Sequence, residues 1–334
     1  MIGKSSPGGV LIGPAPFNAK LGFHGLPQVI RTDKTVWGGH LRAYHRVVLV
    51  VATAVLALFG LPTTAAAETV NAPKHYVALG DSYASGPGIP QQRADPIGCQ
   101  RSTHNYPALL AQALHIRDYT DVSCGGARTG NMTVAQPGPH PPQFDALRPD
   151  TDLVTITIGG NDIDIGDLWV TCTRLGATDP SGDPCKRQAT AGGTDLYAQH
   201  IAAAAPKVAS TLEGIRQRSP RATVLLVGYL RILPPTTGCY PAFPIARGDV
   251  PYVDGVEQQL TAMLADQARS HGAVFVDSYA GSLGHDACQQ PGVKWVEGTT
   301  PTSAAAPDHP NLTGMQEVAA FALDALQTPP ASHH

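Results

Sequence analysis

The sequence predicts an α/β protein, a three-layer α/β/α sandwich around a central parallel sheet. Short apolar, β-branched runs recur along the chain, longer helical patterns separate them, and no internal repeat or linker-like stretch interrupts the series. Strands buried on both faces read as near-continuous hydrophobic runs. Strand–helix alternation returns each strand to the same sheet through a crossover.

The first strand is expected at 75–80, His75-Tyr76-Val77-Ala78-Leu79-Gly80, and further strands at 120–123, 152–158, 222–229 and 273–278. Helical patterns fall between and after them, at 105–113, at 195–218 where alanine is frequent, at 256–270 and at 312–326. The alanines of 202–205 read as helix propensity and close packing. The segment 163–193 holds Cys172 and Cys185 among many polar residues. It reads as a loop excursion that could wall one side of a substrate groove. Residues 68–330 are expected to form one domain, with a flexible tail at 331–334.

Composition narrows the function. Of 334 residues, 43% are hydrophobic and 15% charged, with a net charge of −3. That balance offers no basic field for nucleic acid. Residues 1–67 read as an N-terminal extension ending in a secretory signal peptide. Arg42, His45 and Arg46 precede an apolar run at 47–61, and Ala65 and Ala67 form a cleavage pattern. The run falls short of the ~20 residues that span a bilayer. Export with cleavage near Ala67, rather than anchoring, is the expectation.

Six cysteines follow the leader: Cys99, Cys124, Cys172, Cys185, Cys239 and Cys288. An even count in an exported chain points to disulfides, with the pairing open on arithmetic alone. None forms C-x-x-C, which argues against a zinc site or a redox motif.

The chemistry concentrates at strand ends. Ser82 follows the first strand in Gly80-Asp81-Ser82. Asn161 follows the third in Gly159-Gly160-Asn161-Asp162. His309 stands near the C-terminus in His309-Pro310-Asn311-Leu312-Thr313-Gly314. Ligands of parallel sheets bind beyond the carboxyl ends of the strands. Serine needs a base to take its proton, and histidine titrates near neutrality. A tetrahedral intermediate needs donors for its oxyanion. The run Cys124-Gly125-Gly126-Ala127 supplies a glycine turn and Asn161 an amide. This set points to acyl transfer through serine.

These four blocks, in this order, resemble the SGNH or GDSL-type hydrolases, and specifically the secreted actinobacterial esterase/lipase branch. Cys99-Gln100-Arg101-Ser102, Asn105-Tyr106-Pro107 and the cysteine arrangement strengthen the likeness. The resemblance implies a flavodoxin-like fold with Ser82 as nucleophile and His309 as base. It implies Gly126 and Asn161 as oxyanion donors, and sequential disulfides 99–124, 172–185 and 239–288. No metal and no organic cofactor is implied.

In one respect the chain departs from the family pattern. Where many members carry an aspartate three residues before the histidine, this chain has Ala306, and Asp308 is adjacent to His309. A carboxylate at that adjacent place points away from its neighbour's ring. The branch implies instead that the Ala306 carbonyl orients His309. The expected function is a secreted ester hydrolase, a monomer acting on small-molecule or lipid esters with at most transient lipid-surface contact. The alternatives are a carbohydrate O-acetyl esterase and an inactive binding protein on the same fold.

Overall fold

The structure, a computed structural model, describes residues 73–328. The expected signal peptide and its cleavage site near Ala67, and the tail at 331–334, lie outside the described residues. Among the described residues no helix is long and apolar enough to cross a membrane.

Five parallel strands form the sheet: β1 (His75–Gly80), β2 (Asp118–Asp121), β3 (Leu153–Thr157), β4 (Thr223–Val227) and β5 (Val274–Val276), in the order β2-β1-β3-β4-β5. Around it run α1 (Ser82–Ser85), α2 (Tyr106–Ala113), α3 (Ile165–Gly176), α4 (Pro184–Ala189), α5 (Leu196–Arg218), α6 (Val250–Ser270), α7 (Ser278–Gly281) and α8 (Leu312–Gln327). Helices α2 and α8 pack together, as do α5 and α6. The central strand β3 is buried at every residue, as a strand covered on both faces must be.

The order reverses between β1 and β3. Chain leaving β1 crosses to one side, and chain leaving β3 works outward to the other. That reversal opens a crevice at the carboxyl ends of β1 and β3. Tyr76 pairs with Leu153 and Gly80 with Thr157, so the two strands end level.

Local chemistry sets the helix boundaries. The Asp195 carboxylate accepts from Tyr197 and Ala198 N–H at the start of α5. Asn105 caps α2 through Ala108 N–H, with Pro107 in the first turn. Asn311 caps α8 through Gly314 N–H at 3.0 Å.

Two expectations need correction. The segment 163–193 is mostly helical, carrying α3 and α4. Ile165, Leu168, Trp169 and Cys172 repeat at helical spacing, and the last three are buried. The Cys172–Cys185 bond joins the two helices. Helix α6 begins at Val250, six residues before the expected start, because Pro251 occupies its first turn and Val250 and Val253 are buried.

Candidate active site

Ser82 opens α1 directly after β1, half-buried. Asp81 caps that helix by accepting from Tyr83 N–H at 2.9 Å. The Asp81 N–H donates to the Thr157 carbonyl, which ties the turn to the end of β3. Ser82 Oγ lies 2.8 Å from His309 Nε2.

The loop carrying His309 is pinned on both sides. Glu297 N–H donates to the His309 carbonyl and Asn311 N–H to the Trp295 carbonyl. The Asn311 amide also donates to the Lys294 carbonyl and to Glu297. A side chain at Gly314 would meet the Trp295 carbonyl at 2.3 Å. The spacing of His309, Asn311 and Gly314 is thus a helix start pressed against residues 294–297. Burial works against the Glu297 charge, but donors from Asn311, Thr302 and Lys294 hold its pKa down to about 2.

His309 Nδ1 lies 2.7 Å from a main-chain carbonyl, and that carbonyl belongs to Pro307. The expected Ala306 carbonyl is not the partner. Asp308 has φ +61, in the left-handed region, so the chain turns between Pro307 and His309 and brings the nearer carbonyl to the ring. Ala306 instead donates its N–H to the Pro87 carbonyl. With Nδ1–H donating to Pro307, Nε2 is left to accept from the Ser82 hydroxyl. Burial pushes the His309 pKa below its ordinary 6.5, and the Pro307 hydrogen bond opposes that.

Asp308 makes no hydrogen bond to the ring. Its Oδ1 is buried with no partner, and burial pushes its pKa up to about 6. Tyr83 Oη donates to the Asp308 carbonyl at 2.7 Å.

The glycine turn begins beside Ser82. Cys124 N–H donates to the Gly80 carbonyl, and Ala127 N–H closes the turn on the Cys124 carbonyl. Gly126 sits third in that turn, exposed, with φ +75, a conformation that favours glycine. Asn161 follows β3 and donates through Nδ2 to the Ala127 carbonyl at 2.9 Å. The amide is therefore fixed against the turn, with one N–H to spare. Nearby, Gly160 N–H donates to Tyr229 Oη at 2.8 Å, and Tyr229 Oη donates to Asp81 at 2.5 Å.

Ser82, Asn161 and His309 all line one cavity of ≈ 240 Å³. Its apolar walls come from Ile165, Trp169 and Val170 of α3, Leu260 of α6, and Ile232. The segment 163–193 therefore does wall the groove, but as helix. Glu257 also faces the cavity; burial, reinforced by Asp254, raises its pKa well above the ordinary glutamate value, against Ile232 N–H and Arg231. The sequence reading missed Tyr83, Tyr229, Glu257 and Pro307. Tyr229 had a usable signal, since it falls at the carboxyl end of a predicted strand.

The six cysteines pair in the sequential pattern, 99–124, 172–185 and 239–288.

Residues 78–317 match the GDSL-like Lipase/Acylhydrolase family. Among curated relatives, Lipase 2 of Streptomyces coelicolor is 38% identical over 283 residues, which cover 84% of this chain and 95% of that protein. Among solved structures, an extracellular lipase from Streptomyces rimosus superposes with a TM-score of 0.63 at 28% identity, covering 76% of this chain and 98% of that one. A phospholipase A1 from Streptomyces albidoflavus gives 0.62 at 27%, covering 77% and 99%.

Proposed function

This chain belongs to the GDSL-like lipase/acylhydrolase family, and we propose that it hydrolyses lipid esters through an acyl-enzyme on Ser82. The class of activity is carboxylic ester hydrolysis. One observation supports the proposed mechanism above the others: Ser82 Oγ is 2.8 Å from a His309 nitrogen whose ring partner is already anchored.

His309 Nε2 takes the Ser82 proton as Oγ attacks the acyl carbon. The oxyanion is met by the N–H groups of Ser82 and Gly126 and by the spare N–H of Asn161. Protonated His309 then gives its proton to the leaving alkoxide, and the acyl group remains on Ser82. A water molecule attacks next, passing a proton to Nε2; the C–Oγ bond then breaks, His309 returns that proton to Ser82 Oγ, and the acid is released. The Pro307 carbonyl holds the ring tautomer through both steps but meets imidazolium as a dipole, not a full charge.

The apolar walls suit an acyl chain more than a sugar, whose hydroxyls would go unpaired there. The three disulfides fit an oxidising compartment. Export after cleavage near Ala67 and a monomer that touches lipid surfaces transiently complete the proposal.

A panel of short- and long-chain p-nitrophenyl esters, a phospholipid and an acetylated glycan tests it. Cleavage of the acyl esters and the phospholipid, lost in Ser82→Ala, is expected. Cleavage of the glycan alone would make the protein a carbohydrate O-acetyl esterase. A chain that cleaves nothing and resists fluorophosphonate labelling would be a binding protein.

A further inference from the structure

The serine and the oxyanion amide reach the site from different strand ends. Ser82 follows β1 and Asn161 follows β3. Their relative placement must hold to within a fraction of an ångström for the oxyanion donors to act. One side chain touches the residue before each of them. The Tyr229 hydroxyl donates to Asp81 Oδ2 at 2.5 Å and accepts from Gly160 N–H at 2.8 Å. Asp81 directly precedes Ser82, and Gly160 directly precedes Asn161.

The fit is close on both sides. A Cβ on Gly160 would stand 2.9 Å from both the Tyr229 hydroxyl oxygen and the ring carbon that bears it. Asp81 is almost fully buried and spends its other carboxylate oxygen on Tyr83 N–H. The Tyr229 ring meets the Tyr83 ring edge-on at 5.0 Å. Tyr83 in turn donates to the Asp308 carbonyl next to His309. Burial raises the Asp81 pKa to about 7, and the Tyr229 contact with it is short and enclosed, hence stiff.

We propose that Tyr229 is a positioning residue that sets the distance between the Ser82 nucleophile and the Asn161 oxyanion donor, through its paired hydrogen bonds to Asp81 and Gly160. This rests on the roles proposed above for Ser82 and Asn161. Tyr229 itself lines the substrate cavity, so it could instead serve as plain wall; the hydroxyl separates the two. A wall needs the ring, and a tether needs the oxygen.

Tyr229→Phe keeps the ring and removes both hydrogen bonds. Gly160→Ala keeps the hydroxyl and pushes it away with a methyl group. Each is compared with the unsubstituted protein in three measurements: p-nitrophenyl butyrate kinetics, the fluorophosphonate labelling rate of Ser82, and the melting temperature. Both variants should lose at least tenfold in kcat, with KM within twofold. The labelling reaction develops charge on the phosphoryl oxygen in the same donor set, so its rate should fall in parallel. If Tyr229→Phe keeps kcat and labelling within twofold, the tether is refuted. A rise in KM at constant kcat would make Tyr229 a wall, and a loss tracking only the unfolded fraction would make it a core residue. An unsubstituted protein that labels but cleaves no ester would overturn the ester reading and leave the labelling comparison to decide on Tyr229. Should Tyr229→Phe not fold, Gly160→Ala decides by the same criteria.

Discussion

His309 takes its orientation from Pro307, two residues earlier: the main-chain carbonyl oxygen lies 2.7 Å from Nδ1. The turn that allows this is the left-handed Asp308 between them. Tyr83 holds the Asp308 carbonyl from the nucleophile side, and Glu297 N–H holds the His309 carbonyl from the other. The imidazole is thus set by backbone that is itself fastened at both ends. A carbonyl supplies direction without the full charge of a carboxylate, so the pH behaviour of the ring should follow burial more than ion pairing.

The first expectation concerns that pH behaviour. Burial lowers the His309 pKa below 6.5, and the Pro307 bond only partly restores it. The base must be neutral to accept the Ser82 proton. Activity should therefore be full above the folded pKa and fall as pH drops through it. The acid limb of kcat/KM should have its midpoint below 6.5, and should persist in Asp308→Asn, which removes a carboxyl whose pKa burial raises to about 6. A midpoint above 6.5 would mean that a nearby carboxylate, not burial, governs the ring.

If Asn161 is the proposed oxyanion donor, Asn161→Ala should lower kcat by about 10²–10³ with little change in KM, since such a donor acts on charge that develops only in the transition state. The same substitution removes the tie to the Ala127 carbonyl, so a small fall in melting temperature should accompany it. Steady-state kinetics on a soluble ester check the split. An effect confined to KM would make the amide a ground-state contact.

The disulfides give a stability expectation. The bonded pairs are separated by 25, 13 and 49 positions. On the chain-entropy account each contributes about 3–4 kcal/mol. A thiol reagent under denaturing, non-reducing conditions should find no reactive thiol. Replacing Cys172 and Cys185 together by serine should loosen α3 from α4. Because α3 supplies a wall of the cavity, KM for long-chain esters should rise more than for short-chain ones. Equal changes for both would show that the wall is held by packing alone.

The strands and the four motif blocks were legible because each carries its own local signal. β3 is a buried apolar run, and Gly80-Asp81-Ser82 needs a strand before it and a helix after it. The α3 stripe of Ile165, Leu168, Trp169 and Cys172 was also present in the sequence. Asp167, Thr171, Thr173 and Arg174 are interleaved with it and obscured it; of these Asp167 and Arg174 are exposed, as polar residues of an amphipathic helix are. The Pro307 carbonyl was not legible. Which carbonyl reaches a ring depends on one backbone angle, and a left-handed Asp308 has no sequence signature beyond a mild preference. Tyr229 reaches the site from just beyond β4 and Glu257 from α6; the strand end marked Tyr229 as near a site, but no local spacing joins either residue to Ser82.

Glu257 carries a pH-dependent stability. Its folded pKa lies well above the ordinary 4.5, through burial first and Asp254 second. Arg231 is already paired with Asp254, so it cannot fully serve Glu257. A raised carboxyl contributes its stability below 4.5 and loses it as pH rises toward the folded value. Glu257→Gln removes that penalty. Its melting temperature relative to the parent should improve as pH rises above 4.5 and level off once the folded value is passed, as thermal melts across a pH series would record. A constant difference would show that Glu257 keeps its charge by an interaction with solvent in the cavity.

Asp308→Asn is the decisive substitution for the proposal that Ser82 and His309 work without a third carboxylate. Asparagine tolerates the left-handed backbone that Asp308 adopts, so the turn and the Pro307 carbonyl should stay in place. If the carbonyl alone orients His309, kcat/KM should fall less than about tenfold, under ~1.4 kcal/mol. A carboxylate working as a third triad member would instead cost about 10⁴-fold in kcat when made an amide. Stability supplies an independent check. The Asp308 pKa is raised from 3.8 to about 6 by burial, so the carboxyl stabilises the fold below 3.8 and loses that contribution as pH climbs through 6. The asparagine variant should therefore melt higher than the parent at pH 8 and lose that advantage below pH 4. His309→Ala, measured alongside, sets the floor for activity. An Asp308→Asn variant that fell to that floor with its melting temperature intact would restore the aspartate to the catalytic set and reduce Pro307 to a bystander.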